Sequence, residues 1–96
     1  MTAAPEVEAR LQERPRLAKG VRLARDRRRD AWVLQAPERV FVLDEIAHEI
    51  VRRCDGRTVA EIVAELGRAF EAEENEIAKD VLALIDDLRG KGVMTG

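Results

Sequence analysis

The chain has 96 residues, 46% of them apolar and 38% charged, with a formal net charge of −2. That is one small soluble-type domain with a single modest core, since a chain this size buries only about two thirds of its unfolded surface. The balance of charge excludes an overall field for nucleic acid or an anionic membrane. No apolar run approaches the ~18 residues that a membrane span needs, and the opening MTAAPEVEAR lacks the basic-then-apolar order of a secretion signal. One cysteine excludes an internal disulfide and a thiolate metal cluster, and it points to a reducing cytoplasm.

Residues 1–16 are polar with two prolines and read as a flexible tail or linker, which leaves 17–94 as the folded domain. After Gly20, Val21 to Arg25 alternate as a strand, with Val21 and Leu23 on one face. Asp26 to Asp30 form a charged turn. A second strand covers Ala31 to Gln35. Pro37 and Glu38 turn the chain, because proline fixes φ and has no N–H for a ladder. A third strand runs over Arg39 to Leu43. Links this short predict an antiparallel meander.

The period then changes from two to between three and four. Ile46, Ala47, Ile50, Val51 and Cys54 make one helical stripe, with Asp44 as N-cap. On that wheel His48 faces away, as a surface histidine one turn after Asp44. Asp55-Gly56 stops the helix. Thr58 and Glu61 have capping-box spacing, so a second helix runs from about Val59 to Phe70 with Val59, Ile62, Val63 and Leu66 inward. Asn75 is the expected cap of a third helix, whose inner side is Ile77, Val81, Leu84, Ile85 and Leu88. Val93 and Met94 fold back on the core. The fold class is therefore α+β: a three-stranded antiparallel sheet followed by three helices, in the outline of a winged helix-turn-helix.

That outline raises DNA binding, which the charges oppose. The third helix carries Glu76, Asp80, Asp86 and Asp87 against Lys79 and Arg89, and carboxylates facing phosphate repel it. The one basic cluster, Arg25 and Arg27 to Arg29, is bracketed by Asp26 and Asp30. Catalysis lacks parts. Serine is absent, His48 is the sole histidine, and Cys54 lies on the inward stripe. The glutamates from 71 to 76 lack the glycine and alternating oxygens of a calcium loop, so no metal or cofactor is expected. Recognition remains. Trp32 and Phe41 lie among the strands, and the outermost strand offers unpaired N–H and C=O groups to an extended peptide. The same edge would serve a self-associating scaffold or a homodimer.

Several segments in order carry a resemblance: Arg14-Pro15-Arg16-Leu17, Gly20-Val21-Arg22-Leu23, the hairpin from Val33-Leu34 to Pro37-Glu38, Cys54-Asp55-Gly56 with Thr58-Val59, and Ile77 with Asp80-Val81 and Leu84. From about Arg14 to Met94 the chain resembles PqqD, the pyrroloquinoline quinone biosynthesis protein D, a peptide-recognition family. Gln35 departs from it, standing where the family tends to be apolar. The resemblance implies a peptide chaperone that binds the ribosomally made precursor PqqA. The peptide would then be presented to the radical SAM enzyme PqqE, which joins a glutamate and a tyrosine and holds the iron–sulfur clusters itself. The resemblance also implies that the peptide adds as a strand beside Arg39, Val40, Phe41, Val42 and Leu43. Helix three would form the opposite wall through Val81, Leu82, Ile85 and Arg89.

Overall fold

The computed structural model describes residues 5–96. The predicted meander is present: β2 (Arg22–Asp26), β3 (Ala31–Ala36) and β4 (Arg39–Leu43) form an antiparallel sheet in the order β2-β3-β4. Ala36 pairs with Arg39 across the Pro37-Glu38 link, and Trp32 pairs with Leu43 at the far end. Glu38 takes a positive φ of 64°, which lets the strands reverse in two residues. Asp26 shapes the other turn by accepting the backbone N–H groups of Arg28 and Arg29.

Three helices follow: α2 (Glu45–Val51), α3 (Val59–Phe70) and α4 (Glu74–Gly90). Asp44 caps α2 by accepting the Ala47 N–H at 2.7 Å. Thr58 and Glu61 close the expected capping box on α3, and its four inward residues are all buried. Gly56 has φ +104°, and a Cβ there would run into the Arg16 guanidinium, so the α2–α3 corner requires glycine. Arg53, only 7% exposed, ties the corner together through Glu49 (2.7 Å) and Glu65 (2.8 Å).

The core lies between one sheet face and the helices. Leu34 and Leu43 enter it from the sheet, Ile50 and Val51 from α2, Ile62 and Leu66 from α3, and Val81 and Ile85 from α4. The outer sheet face carries Val33, Val40 and Val42. Val33 is fully buried between its cross-strand neighbours Ala24 and Val42.

Four expectations are corrected. Residues 1–4 lie outside the described residues, but the rest of the supposed tail is packed. Its short helix α1 (Pro5–Glu8) buries Val7, Pro15 is fully enclosed, and β1 (Arg16–Leu17) pairs with β5 (Met94–Thr95). The carbonyls of Glu13 and Leu11 accept the N–H groups of Val59 and Ala60, so this segment satisfies the start of α3. Ile46 is 68% exposed, because the short α2 rests on the core through Ala47, Ile50 and Val51 and turns Ile46 away. Asn75 is inside α4 rather than at its cap. Glu73 holds the cap position without a side-chain bond, and Asn75 Oδ1 is buried without a partner. The buried stripe of α4 is Ala78, Val81, Leu82, Ile85 and Leu88: Val81, Ile85 and Leu88 are as expected, while Ile77 and Leu84 pack against the core half-buried.

Candidate functional site

β4 ends the sheet, so one side of its backbone has no strand partner. In a two-residue hairpin the residues flanking the turn form a hydrogen-bonded pair, and bonding alternates from there. Arg39, Phe41 and Leu43 therefore turn their N–H and C=O toward β3. Val40 and Val42 turn theirs to the open edge. Their side chains, 46% and 59% exposed, stand on the outer sheet face. Phe41 and Leu43 face inward, Leu43 buried and Phe41 half-buried.

The N-terminal end of β4 is fixed to α4. Arg39 Nη2 donates to the Lys91 carbonyl at 2.8 Å. The Arg39 guanidinium lies 5.2 Å and Lys91 Nζ 5.9 Å from the Phe41 ring centre, so two cations rest on one aromatic ring. At the other end of the strand, Leu43 shares a cavity of about 1110 Å³ with Ile77 and Asp80 of α4. The residues of α4 and its C-cap that approach the strand are thus Ile77 and Asp80 at one end and Lys91 at the other.

Of the wall residues that the resemblance implies, Val81, Leu82 and Ile85 lie in the core. Val81 and Ile85 are fully buried and Leu82 is 6% exposed, all within the core cluster. An amphipathic helix has one apolar stripe, and α4 commits it to the core. Arg89 is held by Glu13 at 2.9 Å, by Asp86 at 3.6 Å and by the Gly96 carbonyl. With Arg10, which binds Glu13 and Asp86, it fastens the N-terminal segment to α4. These contacts hold the Glu13 and Asp86 carboxyls below their usual range, in each case mainly through the Arg10 bond.

The cavity also has a feature that the helical wheel concealed. His48 is stacked on Trp32, ring centres 4.2 Å apart and planes 6° from parallel. It is not a free surface histidine. Burial lowers its pKa, and the nearby Arg25, Arg52 and Arg53 act in the same direction against Glu49. Sequence spacing places His48 on a helix and Trp32 on a strand, but only the crossing of α2 over β3 brings them together. Cys54 is buried, its Sγ donates to the Ile50 carbonyl at 3.3 Å, and burial pushes its pKa up to about 12. A thiol held protonated in this way is a poor nucleophile. Among the described residues no group of His, Cys, Asp and Glu is arranged to hold a metal ion, and no helix is long and apolar enough to cross a membrane.

A small sheet whose β4 edge carries no strand, a helix beside it and an apolar cavity at its end define a binding module of the α+β class. A profile for coenzyme PQQ synthesis protein D (PqqD) matches residues 31–94. The chain belongs to the PqqD family. It is 49% identical over 82 residues to the PqqA binding protein of Xanthomonas axonopodis pv. citri, covering 84% of this chain and 89% of that one. It is 46% identical over 95 residues to the PqqA binding protein of Gluconobacter oxydans, covering 98% of each. Among solved structures it resembles the PqqD truncation of Methylobacterium extorquens PqqCD, described as a functional, stand-alone recognition element for ribosomally synthesized, post-translationally modified peptides. The TM-score is 0.75 at 41% identity, over 85% of this chain and 88% of that one. The crystal structure of PqqD from Xanthomonas campestris matches at TM-score 0.54 and 47% identity, over 78% and 84% of the chains. These relatives are named for binding and recognition, and the family is not a catalytic one.

Proposed function

We propose that this protein is a peptide chaperone of pyrroloquinoline quinone biosynthesis, binding the precursor peptide PqqA as an added strand beside β4 and presenting it to the radical SAM enzyme PqqE. The relatives' names support the peptide, and the open edge of β4 supports the mode. The observation that carries it is the pair Val40 and Val42, whose main-chain groups face outward on an edge that no other strand among the described residues pairs with. An extended peptide gains regular main-chain bonds there, and these offset the entropy it loses on ordering. Holding substrate near the enzyme raises its effective concentration, worth about 100-fold in engagement without any added catalytic group.

The contact surface in this reading is Arg39 to Leu43 with Ile77, Asp80 and Lys91 of α4 and its C-cap. Val81, Leu82, Ile85 and Arg89 hold that helix in place from behind. A second copy of the chain would compete for the same edge, so a homodimer and a peptide complex exclude each other at β4. The test is an amide-shift titration of labelled protein with synthetic PqqA. Shifts are expected at Val40 to Leu43 and along Ile77 to Lys91. Shifts that avoid both overturn the mode, and absence of binding overturns the function. Presentation is tested by PqqE turnover of PqqA, which should fall severalfold or more when this protein is left out.

A further inference from the structure

Two large apolar side chains stand in water at the mouth of the cavity beyond Leu43: Ile46 is 68% exposed and Phe70 57%. Trp32, Leu43 and Ile77 form apolar surface behind them. Strand addition along β4 does not need this surface, and leaving it wet is unfavourable. The charges at the mouth are uneven. Arg25 is engaged by Asp30, and Glu49 is engaged by Arg52 and Arg53. Glu45 and Asp80 are exposed and form no ion pair among the described residues. The charge free to meet a ligand is therefore negative, on a chain whose overall balance is only −2.

We infer that this cavity is a second contact for the precursor peptide, taking a bulky apolar side chain that has a lysine or arginine beside it. The inference rests on the peptide-capture reading and adds a specificity site to it. A peptide strand running past Leu43 enters the cavity directly, since Leu43 is both the end of β4 and part of the lining. The apolar side chain covers Ile46 and Phe70, while the neighbouring cation lies between Glu45 on α2 and Asp80 on α4. Main-chain pairing reads no sequence, so this cavity supplies the selection that the edge lacks.

Trp32 is the sole tryptophan and lines the cavity, so its emission reports occupancy. Synthetic PqqA is titrated into wild-type protein and into the double variant Glu45→Gln/Asp80→Asn, each also against a PqqA analogue with every Lys and Arg replaced by Gln. Exposed charge pairs contribute up to about fivefold each. The double variant should therefore bind PqqA roughly tenfold more weakly, with a flatter salt dependence, and both proteins should bind the analogue alike. Glu6→Gln, on α1, should match wild type. Binding with normal β4 amide shifts but no change in Trp32 emission, or equal PqqA affinity in the double variant, overturns the cavity assignment and leaves strand addition standing. Trp32 emission that changes with protein concentration alone assigns the cavity to a second copy and overturns it as well. No PqqA binding by wild type overturns both readings.

Discussion

Arg39 donates to the carbonyl of Lys91 at 2.8 Å, and both side chains rest on the ring of Phe41 between them. This contact sets the distance between the edge strand β4 and α4 at one end. Arg39→Ala removes one charged hydrogen bond and one cation–ring contact, both partly exposed. The expected loss is about 1 kcal/mol of stability in urea titration. PqqA affinity should fall severalfold as that end of the groove loosens. Arg39→Lys should recover only part of either, since lysine lacks the reach and planar donors of arginine.

Val42→Pro separates strand addition from side-chain contact. Proline removes an outward N–H that the β3–β4 ladder does not use, so the fold should survive with a loss of about 1 kcal/mol or less. PqqA binding should fall at least tenfold in calorimetry. A variant that melts like wild type and binds with unchanged affinity would rule out the main-chain ladder.

Removing residues 1–13 should destabilise the domain by several kcal/mol, although composition alone suggests a dispensable tail. The deletion takes away buried Val7, the Arg10–Asp86 and Glu13–Arg89 pairs, and the two carbonyls that accept Val59 and Ala60 N–H. Each donor left without a partner at the start of α3 costs about 1 kcal/mol or more. Thermal melting followed by circular dichroism measures the effect.

The His48–Trp32 stack predicts a pH dependence. His48 lies below its ordinary value of 6.5 in the fold, first because burial disfavours the charged ring. The unfolded chain then takes up a proton near that value while the folded chain resists it. Stability from this group is complete above about 6.5 and is lost as pH falls below it. Urea midpoints should drop between pH 7.5 and pH 5, and His48→Gln should flatten that part of the profile. The carboxylates with lowered pKa, Glu13 and Asp86 among them, act in a separate window near and below their ordinary values of 4.5 and 3.8.

Cys54 should resist iodoacetamide at pH 8 in the native protein and react fully in denaturant. With its pKa near 12 and its Sγ bonded inside the core, it presents almost no thiolate. Fast labelling under native conditions would show that the α2–α3 corner opens.

Local signals made the frame legible. Asp44, Thr58 and Glu61 cap as spacing requires, and the Pro37-Glu38 turn marks off the strand from Arg39 to Leu43. What was not legible depends on contacts between distant segments. β1 and β5 have two residues each, too short for any period, so the docked N-terminal segment read as a linker. Ile46 fits the helical stripe of α2 by spacing, yet nothing in the sequence says that the helix meets the core through Ala47, Ile50 and Val51 and leaves Ile46 outside. The groove wall of Val81, Leu82 and Ile85 is what the family resemblance implies, and helical spacing alone equally fits these residues to the core. Their burial follows from the packing of α4 against α3, which leaves Ile77, Asp80 and Lys91 near the strand.

The pairing of Arg16 with Thr95 and of Leu17 with Met94 joins the two extremities of the domain. During synthesis, the meander and the capped helices form from neighbours as they emerge, but this seam waits until Met94 and Thr95 have emerged. Such distant closure is slow and entropically costly. A nascent chain arrested before Val93 would hold its sheet edge exposed with its N-terminal strap still loose, vulnerable to proteases and to pairing with other chains.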